Sequence, residues 1–435
     1  CIRDSLWAAP LGLQVAAGVV QPDRPWEYLK IDGDLVRENK AGEYELRLTE
    51  ELWEVAYVDK IELMAVDHPA DVEIHSNEKV GPPAIASPTI FSFADQDLHP
   101  LVSAADTKGH DITQLLSESD DRFVKGFDRR IRQGLCEPHW IDLDFGSSAT
   151  NRLVDLDSPS VYLVLRGWIL PTDTSLNIQI DQTPELPAIE VPSVWVPDST
   201  ERSGWRKAVP FMGFPGGKTK TIVVDVSDHI IADDPRLRVR TSAQIYWDSA
   251  SLAVVEAPST NDQQKLVMSD AEVTFHGFSR RIKTDPTRPE TYDYGRVDQN
   301  PKWPPLRGEV SRFGNCREKL TEWDDSMVVI SGGDEIRMRF TPPKTPVPPG
   351  WKRDFILHCV GWDKDADLNT LTGQSIGPLP IREMSQYPPT VESASRFEAV
   401  QRRNSGSLQR RQSFRAFWRR SGDDEEPFLF APKAG

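Results

Sequence analysis

The densest group of side chains suited to chemistry follows a Gly-Trp pair near position 361. Oxygen-bearing residues alternate there at Asp363, Asp365, Asp367 and Asn369. With this spacing in a loop, three carboxylates and one amide supply oxygens to a hard cation, which takes six to eight of them. The segment is not an EF-hand loop, since its sixth position is Leu368 rather than Gly. The pattern predicts a weak calcium site, and a solvated acidic turn is the alternative that the sequence leaves open.

Tryptophan is the second source of binding chemistry, with 13 residues in the chain. Trp195 and Trp205 flank a polar loop and are predicted to be exposed. Exposed rings of this kind pack against the C–H faces of sugars. In contrast, Trp140, Trp168 and Trp362 lie in or at the ends of apolar strands and are predicted to be core. Trp195 and Trp205 are therefore the candidate ligand-binding pair.

Catalysis has weaker support in the sequence. The chain has no His-Glu-x-x-His motif. Its adjacent acids, such as Asp233 and Asp234, are typical of turns, where they cap or are solvated. A glycosidase needs two carboxylates facing each other across a cleft, and sequence alone does not show such a pair. A non-catalytic role is favoured, and a glycoside-active hydrolase is the weakest of three alternatives.

Length and composition set the fold class. The 435 residues exceed what one core usually supports, so several modules are expected. The formal charge of -16 gives no basic field for nucleic acid, and no apolar run is long enough to span a membrane as a helix. The 35 Pro break helices and favour a β-rich architecture with many turns. The many short alternating runs indicate strands. We expect a mainly β chain of tandem sandwich-like or jelly-roll-like modules, with few short helices (50–55, 112–117 and 316–321) and a disordered C-terminal tail.

An internal repeat organises the chain. Residues 116–124 match 320–328, and each match is followed by an alternating strand, an apolar strand ending in Gly-Trp and an Asp-x-x-Leu-Asn sequence. A second, weaker set relates 46–63 to 237–252. The predicted organisation is a fragment start (1–20), a β half-module (21–99), a β-sandwich module (100–257), a Pro-rich connector (258–307), a second copy of the first half-module (308–384) and a disordered tail, basic and then acidic (385–435).

The tail has its own binding pattern. Arg predominates between 396 and 420, and aromatic residues recur at helical spacing among the basic ones. A short helix would place rings and Arg on opposite faces, as in segments that lie on anionic membranes or bind an acidic partner. A solvated tail is the alternative. The residues concerned are Arg410, Arg411, Phe414, Arg415, Phe417 and Trp418.

Several sequence phrases together resemble a known family. They are residues 26–30, 49–59, 65–71, 76–79, 210–221 and 349–355, with Gly361-Trp362-Asp363-Lys364-Asp365. They look like the C-terminal region of large bacterial FG-GAP (VCBS, integrin-α-like propeller) repeat proteins of the cartilage-acidic-protein-like and ASPIC/UnbV type. The resemblance covers about 6–390 and includes no propeller repeat, so calcium sites of such repeats transfer to no residue here.

That resemblance implies a secreted or cell-surface context. It also implies adhesion or assembly with a protein or glycan partner rather than turnover of a substrate. A carbohydrate-binding β-sandwich is the alternative function.

Overall fold

The structure is a computed structural model that describes residues 26–410 apart from 83, 87, 126, 129–132, 173, 186–187, 218, 257–260, 283–286, 367 and 369–372. Its strands, in chain order, begin with β1 (Trp26–Ile31), β2 (Tyr44–Thr49), β3 (Glu54–Pro69), β4 (Val72–Ser76), β5 (Lys79–Val80), β6 (Ile90–Ala94), β7 (Leu98–Pro100), β8 (Ser103–Asp106), β9 (Leu135–Asp144), β10 (Ser160–Ile169), β11 (Ser193–Pro197), β12 (Trp205–Val209) and β13 (Phe214–Pro215).

The second half of the described chain is also mainly strand. It contains β14 (Lys220–Asp225), β15 (Leu237–Ala243), β16 (Ile245–Val255), β17 (Asp262–Lys265), β18 (Met268–Phe275), β19 (Phe278–Ile282), β20 (Thr291–Asp298), β21 (Val310–Ser311), β22 (Gly314–Asn315), β23 (Val328–Ser331), β24 (Asp334–Phe340), β25 (Trp351–Asp365) and β26 (Leu408–Gln409). The helices are α1 (Thr113–Leu116), α2 (Gly146–Asp155), α3 (Thr174–Gln182) and α4 (Val391–Ser405). The mainly β fold class is confirmed.

Residues 98–255 form what we call the central sandwich. One sheet has the strand order β14-β10-β16-β7 and the other β12-β11-β15-β9-β8. Successive residues of a strand point to opposite faces, so alternate apolar residues line the space between the sheets. Leu163 and Leu165 of β10 are buried there with Ile141 and Leu143 of β9.

Two distant parts of the chain, 26–69 and 262–365, form what we call the flanking sandwich. One sheet has the order β1-β25-β3-β17, with β23 also on β3, and the other β2-β24-β18-β22. Leu63 of β3, Val273 of β18 and Ile336 of β24 share its core. Strands from the start of the chain therefore pair with strands near its end, β3 with β25 and β2 with β24.

The two sandwiches have equivalent strand pairings around their Gly-Trp pairs, at the positions that the predicted repeat relates. The equivalent cross-strand pairs are Gly167 with Trp247 and Trp168 with Tyr246 in the central sandwich, and Gly361 with Val58 and Trp362 with Tyr57 in the flanking sandwich. A β-bulge precedes the glycine in both. Trp168 and Trp362 are buried, as predicted. The repeat extends to the turns, since Asp121 and Asp325 both adopt left-handed backbone angles.

A buried glutamate connects the edge strands of the two sandwiches. Glu78 accepts hydrogen bonds from the backbone N–H of Lys30 in β1 and of Thr221 in β14, both at 2.9 Å. A buried ion pair between Glu27 and Lys220 joins the same two strands. The two sandwiches are thus tied through strands that occupy corresponding edges of the two repeats.

Residues 258–307 differ from the expected connector. They contribute β17 to β20, and Ala271 and Val273 of β18 are fully buried between the sheets of the flanking sandwich. Strand β18 pairs with β24 over most of its length. This pairing explains why the segment is part of the core despite the prolines that follow β18.

The chain after 385 also differs from the expected tail as far as it is described. Helix α4 packs Phe397 into a core patch with Trp362 and Tyr387. Its buried Asn404 accepts a hydrogen bond from the N–H of Met327 at 2.9 Å and donates one to the carbonyl of Asp325 at 2.8 Å.

Of the predicted tail contacts, Arg410 is exposed at the end of the described residues. Arg411, Phe414, Arg415, Phe417 and Trp418 lie outside them.

The three predicted short helices differ in how well they match the structure. Residues 113–116 are helical and Arg317–Lys319 form a single 3₁₀ turn. Residues 50–55 are not helical, because β3 begins at Glu54 and pairs there with the end of β25. In the described part of the chain, no helix is both long and apolar enough to cross a membrane.

At Gly167-Trp168 and Gly361-Trp362 the glycine lies close to the backbone of the neighbouring strand, and we call these two places the Gly-Trp crossings. They lead to a prediction about stability. A Cβ added at Gly361 would lie 2.2 Å from the carbonyl oxygen of Tyr57, and one at Gly167 would lie 2.6 Å from that of Tyr246. We expect Gly361→Ala and Gly167→Ala each to lower the free energy of unfolding by about 2 kcal/mol or more, because the backbones must separate. Urea denaturation measures this effect.

Gly406→Ala is the matched control. Its added Cβ would meet nothing within 4 Å, so it should unfold within about 1 kcal/mol of the wild type. Equal midpoints for Gly361→Ala and wild type would contradict the requirement for close approach.

Candidate functional site

Four carboxylates meet at one corner of the flanking sandwich, and we call them the acid cluster: Glu50, Glu54, Asp363 and Asp365. One oxygen each from Glu54, Asp363 and Asp365 lies within 4.8 Å of the others. Asp363 and Asp365 are alternate residues at the end of β25, so they share a face. Glu54 begins β3 directly opposite Asp365. The fourth member, Glu50, precedes β3 and accepts a hydrogen bond from the N–H of Leu52 at 3.0 Å.

Burial makes ionisation of Glu50, Glu54 and Asp363 costly, whereas Asp365 is exposed. Burial raises the pKa of Glu50 to about 8 and the pKa values of Glu54 and Asp363 well above the usual range for carboxyl groups. Neighbouring carboxylates add to the shift, chiefly Glu50 and Asp365 on Glu54, and Glu54 and Asp365 on Asp363. One oxygen of Asp363 is buried without a hydrogen-bond partner among the described residues. At neutral pH such a cluster retains protons or takes up a cation.

The cluster contains two of the four predicted metal ligands. Asp363 and Asp365 come together, whereas Asp367 and Asn369 lie outside the described residues. Glu54 and Glu50 were missed, because about 310 positions separate them from Asp363 and no local spacing connects them. An all-oxygen donor set suits calcium rather than zinc or copper.

In the other repeat, the described residues place an apolar pair at the position of Asp363. Ile169 follows Gly167-Trp168 where Asp363 follows Gly361-Trp362, and it pairs with Ile245. The shared fold is therefore complete with an apolar residue at this position. The carboxylates of the flanking sandwich are an addition to the fold rather than a requirement of it.

A second feature covers the outer face of the central sandwich. Tryptophans and cations alternate there across strands β12, β11, β15 and β9, with each charged group 4.3–5.9 Å from a ring centre. We call this the Trp–Arg face; its order is Lys207, Trp195, Arg240, Trp140, Arg238, Trp205 and Arg236. Arg238 lies between two rings and donates two hydrogen bonds to Asp142.

Trp195 and Trp205 thus lie on one face, each half-buried. Trp140 joins them, so its assignment to the core is wrong: it is only partly buried and lies outside the sandwich, because it points to the face of β9 opposite Ile141. Each ring is close to two cations, which limits how much of the ring is free to stack on a sugar.

A groove of about 370 Å³ opens beside Trp205. Small residues are part of its lining, namely Ala104, Ala105 and Gly109. Its polar lining is Ser103, Asp111, Asp142, Asp144 and Arg236. The groove lies where the Trp–Arg face meets the edge strand β8.

Two serines have features associated with nucleophiles. Gly373-Gln374-Ser375-Ile376-Gly377 matches the Gly-x-Ser-x-Gly pattern but leads into a turn rather than a helix, so it lacks the strand–turn–helix context of a nucleophile elbow. Ser279 is 3.2 Å from Nε2 of His276, whose Nδ1 is 3.3 Å from Glu335. Ser279 has no exposed surface, and its N–H donates to Glu51. These contacts hold the β18–β19 turn and expose no nucleophile.

The raised pKa of Glu50 predicts a pH-dependent stability. Burial raises the pKa of Glu50 from its ordinary 4.5 to about 8 in the folded protein, so the folded protein binds an extra proton between these values. The resulting stability is present below pH 4.5 and is lost as pH rises towards 8. In EDTA, the unfolding free energy of wild type relative to Glu50→Gln should fall by about 2 kcal/mol or more between pH 5 and 8, at about 1.4 kcal/mol per pKa unit.

The control is Glu118→Gln, which alters an exposed glutamate. Its stability relative to wild type should not change with pH. If Glu50→Gln also follows the wild type at every pH, Glu50 is not held protonated in the folded protein.

Comparison with known proteins identifies no relative of this chain. No family model, no curated protein and no solved structure matches the chain. The resemblance to the C-terminal region of FG-GAP repeat proteins therefore stays a prediction.

Proposed function

We propose that the chain is a non-catalytic interaction region of an exported bacterial protein, acting in adhesion or assembly. The observation that carries the proposal is the Trp–Arg face. Trp and Arg are the residues that most often dominate the binding energy of protein interfaces. On this face three Trp and three Arg lie on a broad sheet surface outside the hydrophobic core.

The face is organised before any partner arrives. Arg238 is held by Asp142, and Arg240 donates to Glu190 at 2.9 Å. Long side chains fixed by such pairs lose less conformational entropy on binding. These guanidinium groups already have acidic partners. A protein partner would therefore gain binding energy mainly by packing against the edges of the Trp rings and the guanidinium planes stacked on them.

Calcium has a structural role in this proposal. Glu54, Asp363 and Asp365 would hold the ion, with Glu50 beside them. A bound divalent cation would offset the repulsion between these close carboxylates and fix the start of β3 to the end of β25. Extracellular calcium modules work at weak affinity, which suits the exported setting that the family resemblance implies.

Carbohydrate binding is the second candidate function. The groove beside Trp205 favours it, because it combines an aromatic wall with carboxylate oxygens. Stacking on Trp140 or Trp195 is less favourable, since neither ring lines the groove and two cations lie close to each of them.

A random-peptide phage library tests the protein-binding function. Peptides selected on wild-type protein should bind Trp195→Ala about 30-fold more weakly, because losing a central hot-spot residue costs about 2 kcal/mol. Arg296→Ala, an exposed Arg on β20, is the control and should bind like wild type. If the selected peptides bind Trp195→Ala and wild type equally, the Trp–Arg face is not the binding surface.

A further inference from the structure

The groove beside Trp205 has a defined chemical character. Trp205 is the last ring of the Trp–Arg face, with Arg238 4.3 Å from its centre and Arg236 farther away at 5.9 Å. The lining has free space at Gly109, where an added Cβ would meet nothing within 4 Å. An aromatic ring together with small lining residues leaves space for a flat ligand.

The charges of the groove do not balance. Arg238 is paired with Asp142, and Arg236 donates to both oxygens of Asp234 at 2.6 Å. No ion pair to Asp111 or Asp144 occurs within the described residues, although Arg236 has a favourable electrostatic interaction with Asp144. The lining is therefore acidic, and it repels anionic ligands.

Two carboxylates retain acceptor capacity in the groove. Asp111 uses one oxygen to accept from the N–H and hydroxyl of Thr113, at 2.9 and 2.6 Å. Asp144 uses one oxygen to accept from the N–H of Gly146 at 2.8 Å. A carboxylate can accept at both oxygens, so each keeps an oxygen for a ligand donor. Acceptors beside an aromatic ring suit a ligand with several hydroxyl donors and an apolar C–H face.

We propose that this groove binds an uncharged saccharide, with Trp205 packed on a sugar ring and Asp111 and Asp144 accepting from its hydroxyl groups. This inference rests on the carbohydrate-binding candidate function and specifies its ligand. Saccharides bearing carboxylate or sulfate groups are rejected, because the acidic lining repels them.

The test is calorimetric titration with uncharged oligosaccharides of glucose, mannose, galactose and N-acetylglucosamine, together with oligogalacturonate and a sulfated oligosaccharide. At least one uncharged oligosaccharide should bind, and the two acidic ones should not. Trp205→Ala and Asp144→Asn should each weaken that binding at least tenfold. Asn keeps the acceptor for Gly146, and circular dichroism with thermal melting verifies that both variants fold.

Arg296→Ala, an exposed Arg on β20 that belongs to neither the Trp–Arg face nor the groove, is the control. It should bind saccharide like wild type. Three results would overturn the proposal: no uncharged saccharide binds, binding persists in both groove variants, or the acidic oligosaccharides bind better. Since the peptide test depends on Trp195 and this one does not, the two functions can fail separately.

Discussion

Both sandwiches depend on a close approach of two backbones at the Gly-Trp crossings. At Gly361 and Gly167 any side chain would collide with the carbonyl oxygen of the facing tyrosine. A bulge next to each glycine re-aims the strand, so the following Trp enters the core. In the flanking sandwich Asp363 follows the Trp directly, and the strand then continues two residues further than in the central one, to Asp365, which pairs with Glu54. The bulge before Gly361 thus determines which face of β25 carries Asp363 and Asp365, and the candidate metal site depends on it.

The same scaffold occurs twice in the described chain but carries different surfaces. The central sandwich has the Trp–Arg face on the outer side of β15 and β9. The flanking sandwich has salt-bridged polar residues on the matching strands β2 and β24, such as Arg337 with Glu335. Conversely, the acid cluster of the flanking sandwich corresponds to apolar Ile169 in the central one. Core positions are shared because packing constrains them, whereas outward positions are free to take on binding roles.

Alternation and the repeated phrases were sufficient to predict a β fold and the equivalence of Trp168 and Trp362. The spacing of oxygen-bearing residues predicted that Asp363 and Asp365 lie together, and both belong to the acid cluster. Glu54 was out of reach, because strand pairing between the two ends of the chain cannot be read from local spacing. Trp140 was misassigned since an alternating strand does not reveal which face is inward. Helix α4 was not predicted, because its Arg-rich composition is typical of a disordered tail and does not reveal that Phe397 and Asn404 are buried.

Calcium binding at the acid cluster is the central claim, and anomalous diffraction from crystals grown in millimolar calcium tests it most directly. We predict one anomalous peak about 2.3–2.6 Å from oxygens of Glu54, Asp363 and Asp365, and none at the equivalent corner beside Ile169. The peak should vanish in Asp365→Asn crystals grown under the same conditions. Carboxylates that point apart, or a corner without density at millimolar calcium, would contradict the account.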